Sequence, residues 1–122
     1  MIGYVTLGTR DLEKAAVFYD ALAAELGTPR MFTTDKTIAW GNPDGPAGIG
    51  ITLPFDGNPM SVGNGIMVAL QAKDKAQVDR LHALALTLGG TDEGAPGPRS
   101  ETFYAGYFRD LDGNKLNAFY MG

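Results

Sequence analysis

The chain has 122 residues, 44% of them hydrophobic and 20% charged, a size and composition typical of one globular domain. Its net charge of -4, without a cluster of Lys or Arg, argues against nucleic acid as a partner. Because Cys is absent, disulfides, Cys-ligated metals and thiol nucleophiles are excluded. No apolar run reaches the roughly 18 residues of a membrane helix, so we expect a cytoplasmic protein with no membrane partner.

The first half of the chain predicts a strand, a helix and three further strands. Residues 2–8 alternate β-branched and aromatic side chains, as strands do. From Asp11 to Leu26, apolar residues recur at helical spacing, and Gly27 predicts the helix end because glycine adopts the left-handed conformation without a Cβ clash. The three strand-like runs that follow cover residues 30–34, 37–40 and 49–53.

The second half repeats this order. A strand at residues 65–70 precedes a helix that begins at Asp74 and ends at Gly89, and the three later strands cover residues 91–95, 103–109 and 115–121. One half is too short to bury both a sheet face and a helix stripe alone. We therefore predict one domain over residues 1–122, with modules at about 1–58 and 62–122 that fold as one cooperative unit.

Three segments resemble the glyoxalase/bleomycin-resistance/dioxygenase superfamily, whose fold is called vicinal oxygen chelate. These are the strand at Tyr4 with the helix from Asp11, the second-module strand at residues 65–70, and the hairpin at residues 107–116. Together they span essentially the whole chain. The resemblance implies an α+β fold of two βαβββ modules, with an open, barrel-like mixed sheet, helices outside and a pocket inside. It also implies a homodimer.

The resemblance further indicates where a divalent metal would be held. The corresponding positions fall on Tyr4, Met67 and Asn117, with a fourth among residues 49–52. A phenol, a thioether and a neutral amide form a poor ligand set for such metals. Because the chain has a single His, a two-His site is impossible. We therefore predict no metal, no cofactor and no catalytic residue of the metal-dependent type.

Strand alternation predicts which side chains line the pocket. Pairing of Arg109 with Lys115 would place Tyr107 opposite Asn117 on the inner face. The complete predicted lining is Tyr4, Thr6, Trp40, Thr52, Met67, Tyr107 and Asn117. For Trp40 the alternative is a place in the core, and for Tyr4 and Met67 it is simple space filling.

Other polar residues receive structural interpretations. His82 is predicted at the surface or the edge of the second helix. The side chains of Asp110 and Asp112 are predicted to bond local backbone N–H groups of a turn. Arg99 follows a Gly- and Pro-rich stretch and is predicted on a loop, either solvated or closing over an anionic ligand.

Two functions remain open from the sequence. The first is a metal-independent protein that binds or sequesters a small, partly aromatic organic molecule. The alternative is a glyoxalase- or dioxygenase-like enzyme with an atypical site. That enzyme would use Tyr4 or Tyr107 as a general acid, or hold a metal through Glu101 or Asp92.

Overall fold

A computed structural model describes all 122 residues, Met1–Gly122. It divides the chain into two compact units, Met1–Val62 and Gly63–Gly122. Each unit is a βαβββ module with one helix and one four-stranded mixed sheet. The predicted α+β class and the internal repeat are thereby confirmed. No helix combines the length and the apolarity needed to cross a membrane.

The first unit contains β1 (Tyr4–Gly8), α1 (Leu12–Glu25), β2 (Arg30–Thr33), β3 (Thr37–Trp40) and β4 (Gly48–Thr52). Its strand order is β1-β4-β3-β2, with β1 parallel to β4 and the other pairs antiparallel. The helix begins where the sequence predicts, because the Asp11 side chain accepts a hydrogen bond from the Lys14 N–H at 3.1 Å. It ends before Gly27, which has a φ of 69°.

The second unit contains β5 (Val68–Gln71), α2 (Lys75–Thr87), β6 (Thr91–Pro98), β7 (Phe103–Arg109) and β8 (Lys115–Met121). Its order, β5-β8-β7-β6, repeats that of the first unit. β5 begins later than predicted because residues 63–66 form a turn, in which the Ile66 N–H donates to the Gly63 carbonyl at 3.2 Å. β6 is longer than predicted, with irregular pairing to β7 around Gly94 and Gly97.

One face of the first sheet packs on α1. Leu7, Ile38 and Ile51 are buried in this layer against the helix. The Trp40 indole N–H donates to Asp20 of α1 at 2.8 Å. The Arg30 guanidinium of β2 also binds Asp20, at 2.7 and 3.0 Å, so this carboxylate links the helix to two strands.

One face of the second sheet packs on α2 in the same way. Val78, Leu81 and Ala85 of the helix are fully buried, as are Phe108 and Leu116 of the sheet. His82 joins this layer, with its ring edge-to-face to Phe108 at 6.3 Å. The prediction of His82 at the surface or the edge of the helix is therefore wrong, since its exposed fraction is only 5% and its ring packs between the helix and the sheet.

Candidate functional site on the helix-free faces

We call the face of each sheet opposite its helix the helix-free face. Because side chains alternate along a strand, the contacts of Trp40 and Ile38 with the α1 side place their neighbours on the other side. In the first unit the helix-free face carries Tyr4 and Thr6 of β1, Phe32 of β2, Thr37 and Ala39 of β3, and Gly48, Gly50 and Thr52 of β4.

The centre of this first face is built from small residues. Ala39, Gly48 and Gly50 leave space across the middle strands, and the rings of Tyr4 and Phe32 meet edge-to-face with centroids 5.6 Å apart. Tyr4 is 48% exposed, which leaves about half of this ring available for contact. The two rings come from opposite edge strands, so they meet over the small residues of the middle strands.

The structure also resolves the register that the sequence leaves open in β4. Ile51 pairs with Ile38 and is buried toward α1, whereas Thr52 lies beside Thr37 on the helix-free face. The two threonine hydroxyl oxygens are 2.7 Å apart, and that of Thr52 also donates to the Leu53 carbonyl. Thr52 therefore contributes a hydroxyl already engaged in local hydrogen bonds.

Trp40 does not lie on the helix-free face. Its indole is 2% exposed, packs against Tyr19 at 5.7 Å and donates to Asp20, all on the α1 side. A large ring with a satisfied N–H is stable in such a core. We therefore correct the predicted pocket lining by leaving Trp40 out of it.

The helix-free face of the second unit carries the predicted pair of Tyr107 and Asn117. β7 and β8 pair with Arg109 opposite Lys115 and Tyr107 opposite Asn117, which confirms the predicted register. Ala69 of β5 flanks Asn117 on its other side. Met67, by contrast, precedes β5 and is 41% exposed, so the regular strand does not fix its direction.

Asn117 is the most unusual polar residue of this face. It is 1% exposed, and its Oδ1 has no hydrogen-bond partner. An unsatisfied buried oxygen costs about 1–3 kcal/mol, and such atoms are rare in folded proteins. An oxygen left in this state is suited to accept a hydrogen bond from a bound molecule.

Two cations lie against the Tyr107 ring, Arg99 from the side of β6 and Lys115 from the side of β8. The Arg99 guanidinium carbon is 5.3 Å from the ring centroid and the Lys115 Nζ is 5.6 Å from it. Arg99 lies in the loop between β6 and β7, as predicted, and its guanidinium is bonded to carbonyls of β6. Sequence reasoning missed Lys115, although its spacing of two residues from Asn117 on one strand predicts a shared face.

His82 lies on the α2 side of the sheet, and it contacts Tyr107 only at the backbone carbonyl of that residue. Its Nε2 lies 3.0 Å from Asp92 Oδ1 and 3.2 Å from the Tyr107 carbonyl oxygen. Both partners are acceptors, so Nε2 carries a hydrogen. The pKa of Asp92 is lowered, first by the Gly94 N–H and then by His82. Asp92 therefore helps to fix the edge of the sheet. Glu101, the other carboxylate considered as a metal ligand, is exposed.

The side chains at the superfamily's metal positions do not fit a divalent metal. The phenol of Tyr4 and the thioether of Met67 are weak ligands for such ions, and Asn117 supplies only a neutral oxygen. Gly50 and Thr52, the β4 residues on the helix-free face, add at most one hydroxyl. No group of three or more His, Cys, Asp or Glu is arranged to hold a metal ion.

A cleft of about 420 Å³ lies in the first unit. It is bordered by Thr9, Arg10, Lys36 and Leu53 and by the segment that follows β4. None of the predicted pocket residues lines it.

Comparison with known proteins identifies the fold. A family model described as the Glyoxalase/Bleomycin resistance protein/Dioxygenase superfamily matches residues 1–118. The chain belongs to this superfamily. A solved glyoxalase/bleomycin resistance protein from Albidiferax ferrireducens T118 is 36% identical, with a TM-score of 0.91, and the match covers 100% of this chain and 99% of that one.

More distant solved structures share the architecture. A hypothetical protein from S. aureus has 25% identity and a TM-score of 0.75, with 96% of this chain and 91% of that one covered. A glyoxalase/bleomycin resistance protein/dioxygenase family enzyme from Burkholderia phytofirmans PsJN has 19% identity and a TM-score of 0.73, with 96% and 95% covered. At that identity the likeness shows the fold alone. No curated protein matches the chain significantly.

Proposed function

We propose that this superfamily member binds a small organic molecule without using a metal ion. The observation that carries the proposal is the buried, unpartnered Oδ1 of Asn117, directly opposite the half-buried Tyr107. A binding site needs a few fixed polar groups on a mostly apolar surface, and this pair supplies both kinds of contact. Within the same unit we propose Met67, which precedes β5, as a further lining residue. In the first unit we propose Tyr4, Thr6 and Thr52 as ligand-contacting residues of that unit's own helix-free face.

The binding role explains why an energetically costly oxygen is present. A leucine at position 117 would fill a similar volume and remove the unsatisfied atom. We therefore expect Asn117→Leu to leave the free protein at least as stable, with a gain of up to ~1–2 kcal/mol, while ligand binding is lost. Opposite effects on stability and on binding would distinguish a ligand contact from a structural amide.

The experiment is a thermal-shift screen of small aromatic and aliphatic compounds, followed by calorimetric titration of the hits in the presence of EDTA. Tyr107→Phe and Asn117→Leu should weaken binding. Tyr104→Phe is the matched control, because Tyr104 lies on the same strand but points to α2, where its hydroxyl donates to Asp79 at 2.7 Å. Hits that bind both Asn117→Leu and Tyr107→Phe as tightly as the native chain would refute the proposed site.

The proposal also includes a cytoplasmic homodimer. Its structural support is the edge strand β1, where Val5 is 37% exposed, next to Ile2 at 57%. Unpaired strand edges with apolar side chains favour association with another chain. Analytical ultracentrifugation at micromolar concentration should give a dimer, and a monomer over the whole accessible range would remove this part.

A further inference from the structure

The two cations at Tyr107 point to the chemical class of the ligand. Arg30 and Arg109 form ion pairs with Asp20 and Glu93, respectively. Arg99 and Lys115 instead converge on one aromatic ring, without a carboxylate partner. An aromatic ring attracts cations by only ~0.5–1 kcal/mol at exposed sites, while two like charges repel each other. A bound anion would balance both charges at once.

Arg99 is held in place by the backbone of β6. Its Nη1 donates to the Gly97 carbonyl and its Nη2 to the Ala95 carbonyl, both at 2.9 Å. A Cβ atom at Gly94 or at Gly97 would come within 3.3 Å of the guanidinium, so the absence of side chains there gives it room. Only two of the five N–H groups of a guanidinium are used in these bonds, and the rest remain for an acceptor.

Lys115 and Asn117 set the spacing between charge and hydrogen-bond acceptor. They lie two residues apart on one face of β8, about 6–7 Å along the strand, with Tyr107 opposite Asn117. Arg99 approaches the Tyr107 ring from β6, on the other side of β7 from Lys115 and Asn117. A molecule that crosses the ring from β6 to β8 would therefore meet the Arg99 guanidinium at one end and the Asn117 Oδ1 at the other. That oxygen can only accept, so it requires a donor.

We propose that the ligand is a small carboxylate with an apolar or aromatic body. The carboxylate binds Arg99 and is attracted by Lys115 from the other side of the ring, the body packs on Tyr107, and a hydroxyl or N–H group donates to Asn117 Oδ1. This inference rests on the proposed binding function and specifies its ligand. Arg99 supplies planar, bidentate recognition of the carboxylate, which Lys115 reinforces as a point charge.

The test uses three probes of increasing length and their methyl esters. The acids are 4-hydroxybenzoate, 4-hydroxyphenylacetate and 3-(4-hydroxyphenyl)propionate, titrated calorimetrically into the native chain at low and at physiological salt. We expect at least one acid to bind, with its ester about tenfold weaker, because the ester loses a charge-assisted contact. Binding of the acid should also weaken as salt is added.

Substitution of each cation then tests whether its charge contributes to carboxylate binding. Arg99→Gln and Lys115→Gln should each weaken acid binding about tenfold and leave ester binding unchanged. Lys75→Gln is the matched control, because Lys75 lies over the Tyr104 ring at 5.7 Å on the opposite face of the same sheet. It should bind the acid like the native chain.

Two results would overturn the inference in different ways. If esters bind as well as acids, and Arg99→Gln and Lys115→Gln have no effect while Asn117→Leu abolishes binding, the site is real but its ligand is neutral. If no acid or ester binds, and the wider screen gives no hit sensitive to Asn117→Leu, both the inference and the proposed function fail.

Discussion

The two units share one strand order and one helix position, yet their helix-free faces differ in chemistry. The first presents hydroxyls and rings around Ala39 and two glycines. The second presents a buried amide, a tyrosine and two cations. The repeat therefore fixes the backbone in both units, while the residues at alternate strand positions decide the chemistry. We infer that ligand recognition by polar groups is concentrated in the second unit.

The largest expected effect tests whether the units unfold together. Leu22 of α1 and Leu81 of α2 are both fully buried, so Leu22→Ala and Leu81→Ala should each cost about 2–5 kcal/mol. We predict one unfolding transition in calorimetry, lowered by either substitution, because a module of this size is marginal alone. Two transitions, each sensitive to only one substitution, would show that the modules fold independently.

The corresponding turns of the two units should respond differently to the same change. Asp110 is buried, and its Oδ1 accepts the Asp112 and Asn114 N–H groups at 2.9 Å, which confirms the predicted turn chemistry for Asp110. Asp110→Ala should cost about 2–3 kcal/mol, since it leaves these donors unsatisfied. Asn42 opens the matching turn between β3 and β4, where the Gly45 N–H donates to the Asn42 carbonyl as the Gly113 N–H does to the Asp110 carbonyl. Asn42→Ala should change the free energy of unfolding by less than ~0.5 kcal/mol because Asn42 is exposed. Urea unfolding would measure both, and equal losses would contradict the comparison.

The smallest effects concern one carboxylate in each unit. The pKa of Asp20 is lowered, chiefly by its hydrogen bond from Arg30, and that of Asp92 chiefly by the Gly94 N–H. A carboxyl group whose pKa is lowered by folding stabilises the fold fully at pH values above the ordinary carboxyl pKa. This stabilisation is lost as the pH falls through the lowered pKa, below about pH 4. Asp20→Asn should remove less than ~1 kcal/mol, because the pair is nearly half exposed.

For both carboxylates the check is the urea midpoint followed from pH 7 to pH 2.5. Asp20→Asn and Asp92→Asn should each flatten the acid limb and lie closest to the native curve at the lowest pH. A loss that is equally large at every pH would mean that packing, rather than charge, is the contribution of these residues.

The sequence predicts the strands and their pairing well but predicts individual contacts less well. The Tyr107–Asn117 pairing follows from alternation and from the turn at Asp110, both of which are local signals. Trp40 and His82 were misplaced because their partners, Asp20 and Asp92, are 20 and 10 residues away along the chain. No local pattern encodes these contacts.

Arg99 and Lys115 show the same limit of prediction from local sequence patterns. The position of Lys115 can be predicted from side-chain alternation, because Lys115 shares a face of β8 with Asn117. The position of Arg99 cannot be predicted in this way, since it depends on the irregular pairing of β6 and on hydrogen bonds to the carbonyls of that strand. Bulges of this kind redirect side chains in ways that strand periodicity does not predict.

The most direct test of metal-independent binding is the metal content of the purified, tag-free protein. Elemental analysis would follow incubation with Ni²⁺, Zn²⁺, Mn²⁺ or Fe²⁺ and exhaustive dialysis. We predict less than about a tenth of an equivalent, because a phenol, a thioether and an amide are poor ligands for these ions. Retention of about one equivalent, lost in Asn117→Leu, would contradict the account and favour a metal-dependent glyoxalase- or dioxygenase-like enzyme.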